Sequence, residues 1–182
     1  MENDIRIRTT KEIIKNCFRN LLENKAFDKI TVKDICEKSH ISRPTFYNHY
    51  RDIYDLLEDY ERDILVELDL FNVENITNNP DKLRDLIENI LTHVENNKKL
   101  YQVIFKTNGN RFYELITDYS IKKILDKSKN LNIFENENEA NIYFSYHSFG
   151  FLYVIEKWIL EDTKYILSKK ELSNILTTYM IK

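Results

Sequence analysis

The chain has very little glycine, proline or cysteine: two of each occur among its 182 residues. Because glycine and proline are the residues that most often interrupt regular structure, their scarcity favours long uninterrupted elements. The two cysteines, Cys17 and Cys36, both fall on predicted apolar helix faces and lack the spacing of a metal site. We therefore expect an almost wholly helical protein whose cysteines are reduced core residues.

Long apolar stretches are also missing. The longest, Phe149 to Ile155, has seven residues, whereas a membrane-spanning helix needs about twenty. The first ten residues are polar and charged, unlike a targeting segment. We expect a soluble, cytoplasmic protein with no membrane partner.

The sequence also lacks a catalytic arrangement. A hydrolase needs a nucleophile, a base and an orienting acid, and a phosphate-handling enzyme needs a glycine-rich loop. The histidines and acids that come nearest to such roles are scattered along the chain: Glu88, His93, Glu95, His147 and Glu156. We expect no catalytic residue, no metal and no cofactor, and hence no enzyme.

What the chain does have is a pattern at residues 31 to 50 that predicts two short helices joined by a tight turn. Thr31 can cap the first helix, and Asp34, three residues on, suits the positive end of the helix dipole. Ser42 can cap the second helix, and Pro44 lies in its first turn, where a missing amide hydrogen costs little. The pattern is that of a helix-turn-helix.

The second helix of this pair carries side chains suited to DNA. Phe46 and Tyr50, four apart, should point inward together, which leaves guanidinium, hydroxyl and amide groups on the other faces. An arginine can bind phosphate or guanine, and an asparagine can pair with adenine. The candidate DNA-binding residues are Thr31, Lys33, Ser42, Arg43, Pro44, Thr45, Tyr47, Asn48, His49 and Arg51. The alternative is a helix pair with an ordinary polar surface.

Charge is distributed unevenly along the chain. Residues 1 to 51 hold eleven Lys or Arg against seven Asp or Glu, a net charge of +4, and residues 52 to 182 hold sixteen against twenty-three, a net charge of −7. A basic amino-terminal part would attract phosphates, and an acidic remainder would stay off the duplex. Chance variation in a mixed surface is the alternative explanation.

A series of motifs extends this pattern on both sides. In chain order they are Thr9-Thr10-Lys11-Glu12 with the apolar positions that follow it, Lys25-Ala26-Phe27, Ile30 to Cys36, Ser42 to Tyr47, Tyr50-Arg51-Asp52 and Leu56-Leu57. Together they make residues 8 to 68 resemble the amino-terminal DNA-binding domain of the TetR family of regulators.

The resemblance implies an all-α fold of about nine helices, a count that hydrophobic spacing also indicates. A three-helix helix-turn-helix domain would be followed by a helical dimerisation and ligand domain. We place the DNA-binding domain at residues 1–51 and the carboxy-terminal dimerisation and effector domain at residues 52–182.

Three positions depart from the family's pattern. The turn reads Ser39-His40-Ile41 where the family usually has Ala-Gly-Val, so a non-glycine residue must accept a left-handed conformation, in which histidine is enriched. Pro44 replaces a small residue, and Tyr54 stands where a phosphate-contacting lysine is common. We expect DNA contacts that differ from the family's usual ones.

Beyond the DNA-binding part, hydrophobic spacing predicts a series of further elements. These are helices from about Asp52 to Phe71, from Pro80, from Leu100 to Phe105 and from Phe112 to Leu125, with a break at Gly109 and a loop from Asn130 to Asn138.

The closing helices combine aromatic and aliphatic side chains. Ile142 to Leu160 is apolar on nearly all sides, and such a helix must be buried all round. Ser168 to Glu171 is a capping box that starts the last helix. Two such helices from each subunit would form a four-helix dimer interface, as the resemblance also implies, and a monomeric core is the alternative. The candidate interface residues are Phe149, Gly150, Tyr153, Trp158, Leu172, Ile175, Leu176 and Tyr179.

Gly150 adds to the case for an interface. A glycine inside a helix costs about 1 kcal/mol relative to alanine, and a close approach between backbones would be a reason to keep one. We expect another helix, of this chain or of a partner, to lie near Gly150.

Aromatic side chains of the same region could line an effector pocket, with hydroxyl groups set in an apolar wall. The candidates are Tyr101, Phe105, Phe112, Tyr119, Tyr143, Tyr146 and His147. At helical spacing such residues are more often ordinary core, which is the alternative.

These features predict a sequence-specific transcription regulator. We expect a homodimeric repressor that binds a palindromic operator in double-stranded DNA. Its two recognition helices would lie about 34 Å apart, and an effector that favours another spacing would weaken DNA binding. The segment with Gly150, Trp158 and Ser168 to Leu172 is similar to a TetR branch that includes dihydroxyacetone-kinase regulators, which implies control by a small molecule or by a protein partner. The alternative is a TetR-fold interaction module without DNA binding.

Overall fold

The structure is a computed structural model that describes residues 2–67, 79–128, 134–161 and 163–181. Regular structure in these ranges is helical throughout, which confirms the all-α fold class. The α-helices are α1 Glu2–Leu22, α2 Val32–Ser39, α3 Arg43–Tyr47, α4 Ile53–Glu67, α5 Pro80–Asn96, α6 Lys98–Ser128, α7 Glu137–Ile159 and α8 Lys169–Ile181, with 3-10 turns at Phe27–Lys29 and Thr163–Tyr165. No helix of the described ranges has the length and apolar character needed to cross a bilayer.

The chain divides into two compact units, Met1–Ile64 and Leu65–Lys182. The division falls near the end of α4, so the first unit holds most of that helix as well as the residues 1–51 that we assigned to DNA binding.

Side-chain caps define the start of α2. The Thr31 hydroxyl accepts a hydrogen bond from the amide of Asp34 at 3.2 Å, and the Asp34 carboxylate accepts from both the amide and the hydroxyl of Thr31 at 2.7 Å. Lys25 Nζ adds a bond of 2.7 Å to the same carboxylate. The bond from Lys25 and those from Thr31 lower the pKa of Asp34 to about 2, so the cap stays ionised at neutral pH.

The turn between α2 and α3 is left-handed at His40, whose φ is 56° and ψ is 29°. The amide of His40 and that of Ile41 both donate to the carbonyl of Cys36 and close the end of α2. The sequence-based prediction of a left-handed non-glycine residue in this turn is confirmed.

Helix α3 begins after Ser42, whose hydroxyl accepts from the amide of Thr45 at 3.2 Å, and Pro44 lies in its first turn. Its regular part ends at Tyr47, earlier than the predicted helix that reached Tyr50. The amides of Asn48 and Tyr50 still donate backward, to the carbonyls of Pro44 and Phe46. The following turn therefore continues the direction of α3.

The core of the first unit takes side chains from all four of its helices. Ile14, Phe18, Ile35, Phe46 and Leu56 are completely buried in it. Burial of such side chains stabilises the unit by about 1.5 to 3 kcal/mol each. The inward orientation of Phe46 fixes which face of α3 remains outside.

A polar network joins α1, α4 and the residue that follows α3. The Asp59 carboxylate accepts hydrogen bonds from Lys11 Nζ at 3.2 Å, Lys15 Nζ at 2.9 Å and the Tyr50 hydroxyl at 2.9 Å. Lys15 also contacts Asp63. The Lys15 and Asp59 side chains are only 10% and 15% exposed, so water screens the pair weakly.

Burial on its own would raise the pKa of Asp59. The hydrogen bonds from Lys15 and Tyr50 and the charge of Lys15 outweigh it and hold this pKa well below its usual range. The carboxylate is therefore charged wherever the unit is folded at neutral pH.

The second unit begins its described part at a capped helix. Asn79 Oδ1 accepts from the amides of Asp81 and Lys82, both at 3.1 Å, and Pro80 occupies the first turn of α5. The predicted start of this helix is confirmed. The predicted continuation of α4 to Phe71 lies partly outside the described residues.

Helix α6 contains the predicted interruption. Asn108 has non-helical angles, φ −160° and ψ 56°, one residue before Gly109. The chain bends there and continues as helix, so the two predicted segments are one long kinked element.

Helices α7 and α8 both begin at side-chain caps. Asn136 Oδ1 accepts from the amide of Glu139 at 3.0 Å, and Ser168 and Glu171 exchange bonds in the predicted capping box. Of the predicted loop from Asn130 to Asn138, residues 130–133 lie outside the described ranges, and α7 already begins at Glu137.

We predict that His40 tolerates only residues suited to the left-handed region. His40→Val should lower the free energy of unfolding by about 1 to 2 kcal/mol, because a β-branched side chain crowds the following carbonyl there. His40→Asn should stay within about 0.5 kcal/mol of the parent, because asparagine accepts this conformation. Urea unfolding followed by circular dichroism measures both, and equal losses for the two variants would contradict the assignment.

We predict that Asp59 stabilises the first unit in a pH-dependent way. Asp59→Asn should cost about 1 to 3 kcal/mol at pH 7, because it leaves the buried Lys15 with the half-exposed Asp63 as its remaining counter-charge among the contacts described above. Since the folded pKa is depressed, this difference should be constant above pH 5 and shrink as pH falls below about 4, the ordinary aspartate value. Asp28→Asn is the matched control because Asp28 is exposed and pairs only with its neighbour Lys29 in the described residues. A loss that does not vary with pH would refute this account.

Candidate functional site

The outer face of α3 presents one cation, one phenol and one amide to solvent. Arg43, Pro44, Tyr47 and Asn48 are exposed, because the burial of Phe46 turns them outward. The Tyr47 ring is supported from behind by an edge contact to Phe46, with ring centroids 5.7 Å apart. These groups can donate to and accept from base edges in a major groove.

The hydroxyl groups predicted to bind DNA already have partners within the unit. Ser42 Oγ and Thr45 Oγ1 are 2.8 Å apart, and the Thr31 hydroxyl donates to Asp34. Their first task is therefore to start α2 and α3. Thr45 and His49 are half-buried, so they offer less surface than their neighbours.

Two further predicted contacts are cations beside the helix pair. The Lys33 side chain is exposed and lies 3.6 Å from Glu37, and Arg51 is exposed and lies 3.4 Å from Asp55. The Lys33–Glu37 pair is exposed on both sides and therefore weak, so a phosphate can replace the carboxylate there. The hydrogen bond that Arg51 donates to Asp55 raises the pKa of Arg51, which stays charged.

Tyr54 replaces the expected lysine at the start of α4. Its ring packs edge-on against Phe27, with centroids 5.2 Å apart, and more than half of the side chain remains exposed. At this position the protein offers a hydroxyl group and no positive charge.

The second unit contains an inner cavity of about 70 Å³ whose wall is almost entirely apolar. The predicted residues Tyr101, Phe105, Phe112, Tyr143 and His147 all line it. The other lining residues were not among the residues that the sequence predicted to bind a ligand. They are Leu83, Leu86, Ile87, Ile90 and Val94 of α5, Ile116 of α6, Phe144, Ser148, Phe151, Leu152 and Ile155 of α7, and Met180 of α8. The spacing of these residues identified a core but not a cavity.

Two of the residues predicted to bind a ligand lie elsewhere. Tyr119 is half-buried beneath Lys123 Nζ, which is 5.7 Å from its ring centroid. Tyr146 is 78% exposed. Neither contributes to the wall of the cavity, because each points away from the face that its helix turns inward.

Tyr143 and His147 are neighbouring polar residues in the cavity wall. Their ring centroids are 4.3 Å apart. Burial lowers the pKa of His147 and raises that of Tyr143. At neutral pH both are uncharged, and each can donate or accept a hydrogen bond.

Helix α7 leaves one apolar face uncovered in the single chain. Ile142 and Tyr146 are 72% and 78% exposed, and Phe149 and Tyr153 continue the same face. A Cβ atom added at Gly150 would meet no heavy atom of the described residues within 4 Å, apart from its own helix backbone and chain neighbours. The expectation that this helix is buried on all sides is therefore not met within one subunit.

The remaining predicted interface residues separate into two groups. Ile175 and Tyr179 of α8 are exposed. Leu172 and Leu176 are 1% and 8% exposed, inside the unit's own core, and Trp158 Nε1 donates to the carbonyl of Leu167 at 3.0 Å. Because Leu172 and Leu176 are covered within the subunit, we remove them from the candidate interface, whereas Trp158 is half-buried and remains a candidate.

The Asp59 network was not anticipated from the sequence. Lys11 and Lys15 are four apart on α1, and Asp55, Asp59 and Asp63 repeat at the same interval on α4. Two helices that carry opposite charges at matching intervals can pair along one face. This charge pattern is the feature of the sequence from which the network could have been predicted. In the described ranges no group of three or more His, Cys, Asp or Glu side chains could hold a metal ion.

Comparison with known proteins agrees with this geometry. Residues 19–60 match the family model described as bacterial regulatory proteins, tetR family, and residues 81–182 match the model of a transcriptional regulator C-terminal region. Among curated proteins, the HTH-type dhaKLM operon transcriptional activator DhaS of Lactococcus lactis is 27% identical over 139 residues, which cover 75% of this chain and 67% of DhaS. The HTH-type regulator YxbF of Bacillus subtilis is 25% identical, over 82% of this chain and 39% of its own length.

Solved structures share the fold at low sequence identity. The dihydroxyacetone kinase operon activator DhaS superposes with a TM-score of 0.66 and 22% identity over 94% of both chains. Thermus thermophilus FadR, a TetR repressor solved in complex with lauroyl-CoA, gives a TM-score of 0.65 at 17% identity, over 94% of this chain and 93% of FadR.

The curated relatives are transcription regulators, and the carboxy-terminal model alone spans more than half of the sequence. With the helix-turn-helix in the first unit, these matches show that the chain belongs to the TetR family of DNA-binding transcription regulators.

Proposed function

We propose that this regulator binds a palindromic operator as a homodimer and that an effector in the cavity of the second unit controls it. The observation that carries the proposal is the exposure of Arg43, Tyr47 and Asn48 at helix α3. The opposite side of this helix is held in the core by the buried Phe46 and Tyr50. A TetR-fold module without DNA binding would not need these three exposed side chains on α3.

The DNA-contacting role falls to residues 1–51 together with the first turns of α4. Arg43 and Asn48 would read base edges, and Lys33 and Arg51 would contact phosphates. Thr31, Ser42 and Thr45 would act mainly by holding α2 and α3, with their hydroxyl groups turned to phosphate only as a second contact. Pro44, Tyr47 and His49 complete the surface.

Dimerisation falls to residues 52–182, through the Phe149–Tyr153 part of the uncovered face of α7 and the exposed side of α8. Phe149, Tyr153, Ile175 and Tyr179 supply apolar area, and Gly150 leaves room for a partner's backbone. Exposed apolar surface of this kind often marks an interface. The same face repeated about a twofold axis would cover itself.

The direction of regulation is set by the operator rather than by the fold. The sequence predicts a repressor, whereas the similar DhaS of Lactococcus lactis is named an activator. A dimer bound over a promoter blocks polymerase, and the same dimer bound upstream can recruit it. We propose repression, and in vitro transcription from the selected operator measures the sign.

Selection of bound duplexes from a random pool should recover a palindrome, and affinity should fall steeply with salt. Asn48→Ala should weaken binding to this site by about 10- to 100-fold, the loss of one good base contact. The matched control is Asn20→Ala, because Asn20 is exposed on α1 outside the candidate surface. Fluorescence anisotropy with a labelled duplex gives both affinities. Absence of any enriched sequence at low salt would support the interaction module instead.

Gly150→Leu should convert the dimer to a monomer without unfolding it. A Cβ atom at this position meets nothing within 4 Å in the described residues, and leucine favours helix by about 1 kcal/mol over glycine, so we expect the larger side chain to clash with a partner rather than with its own subunit. Light scattering after size-exclusion chromatography measures the mass.

Two further variants control this measurement. Tyr153→Glu should also give a monomer, and Ile166→Glu should not, because Ile166 is an exposed apolar residue outside α7 and α8. A Gly150→Leu protein that remains a dimer would exclude Gly150 from the interface.

A further inference from the structure

We propose that the effector is an uncharged, mostly apolar small molecule with one hydrogen-bonding group, and that it enters the cavity past the Tyr143 and His147 rings. This rests on the proposed function, in which an effector occupies the second unit. It adds the chemical class of that effector and its route.

The cavity wall excludes charged ligands. None of its seventeen described lining residues is Lys, Arg, Asp or Glu. An ion buried there would lose its hydration and meet no Lys, Arg, Asp or Glu of the lining, and burial disfavours protonation of His147, so the cost is several kcal/mol even after relaxation. A carboxylate, a phosphate or an ammonium group therefore cannot be the part of the effector that lies inside.

An open groove of about 640 Å³ lies outside this wall, at the amino end of α7. Its lining includes Glu135, Glu139 and Tyr146, and it shares exactly two residues with the inner cavity, Tyr143 and His147. Since these two line both spaces and their rings are 4.3 Å apart, they form the partition between solvent and cavity. A ligand that crosses here must displace the two rings.

The groove is acidic, which gives a second reason to exclude anions. Among its described lining residues there are two glutamates and no lysine or arginine. The amide of Glu139 is bonded to Asn136 and that of Glu135 to Glu139, so these donors are occupied. FadR of Thermus thermophilus was solved with lauroyl-CoA, whose phosphates would meet repulsion at this groove.

The polar groups of the partition suit a hydroxyl or carbonyl group. His147 is neutral at pH 7 because burial lowers its pKa, and Tyr143 keeps its proton, so one donor and one acceptor are available side by side. Ser148 and Tyr101 add two further hydroxyl-bearing residues to the wall. An alcohol or ketone placed at this end would leave its apolar remainder against α5 and α6.

The size of the cavity limits the ligand. A volume of 70 Å³ holds about five to seven water-sized probes at 10–15 Å³ each, which corresponds to a short alkyl chain or a small ring. Met180 can adjust its rotamers to enlarge the space.

The test uses three probes of equal length on the full dimer: 6,6,6-trifluoro-1-hexanol, 6,6,6-trifluorohexanoate and 6,6,6-trifluorohexylamine. Fluorine NMR measures each dissociation constant at pH 7. The alcohol should bind at least tenfold more tightly than either ion. Equal or tighter binding of the carboxylate or the amine, or no saturable binding of the alcohol, overturns the proposal.

A matched pair of variants tests the partition. Tyr143→Phe should weaken alcohol binding by about three- to tenfold, the effect of one hydrogen bond, and Tyr119→Phe should leave it unchanged because Tyr119 lines neither the cavity nor the groove. Tyr143→Ala should also speed alcohol exchange, seen in the fluorine line width, whereas Tyr119→Ala should not. If the Tyr143 and Tyr119 variants behave alike, the route is wrong.

Operator binding is measured in parallel so that failures can be told apart. Selective alcohol binding with unchanged DNA affinity upholds the ligand class and route and refutes effector control. A DNA complex that is released by the carboxylate and not by the alcohol upholds effector control and overturns the ligand class.

Discussion

Side-chain capping of helix ends is the interaction on which the rest of this structure depends. At carboxyl ends glycine is the usual terminator, and in this chain, which has two glycines, His40 takes that left-handed position after α2. At amino ends the device is a side-chain oxygen. Thr31, Ser42, Asn79, Asn136 and Ser168 each accept from amides that would otherwise lack partners. Such caps contribute about 1 kcal/mol apiece, and they set where each helix begins. The two in the helix-turn-helix also decide which residues of α3 face outward.

The basic side chains of the first unit occupy two kinds of position. Some of its cations face inward, as Lys15 does against Asp59, and these add nothing to a DNA-binding surface. Others, such as Arg43, remain at the surface of the helix pair. The net charge of residues 1–51 therefore overstates what a duplex would meet, because Asp59 and Asp63, beyond that range, neutralise part of it.

The aromatic residues of the second unit also differ in where their side chains lie: some line the cavity and others are exposed. Tyr143 and Tyr146 are three apart in sequence, yet the first lines the cavity and the second is mostly exposed. Positions three apart on a helix are only about 60° from each other around its axis, so the boundary between the cavity wall and the exposed surface of α7 runs between these two neighbours. The amino-terminal half of α7 thus lines both the cavity and the open groove beside it.

The sequence by itself determined the all-helical class, the family, the starts of α2 and α3 and the left-handed turn at His40, because all of these depend on local chemistry and on hydrophobic spacing. It also identified five of the cavity residues. Only the tertiary structure decided that Tyr119 and Tyr146 lie outside the cavity, that Leu172 and Leu176 belong to the subunit's own core, and that Asp59 gathers Lys11, Lys15 and Tyr50. Those facts depend on which faces of helices distant in sequence pack together. The spacing of residues along one helix shows which of its faces is apolar, but it does not specify which other helix packs against that face.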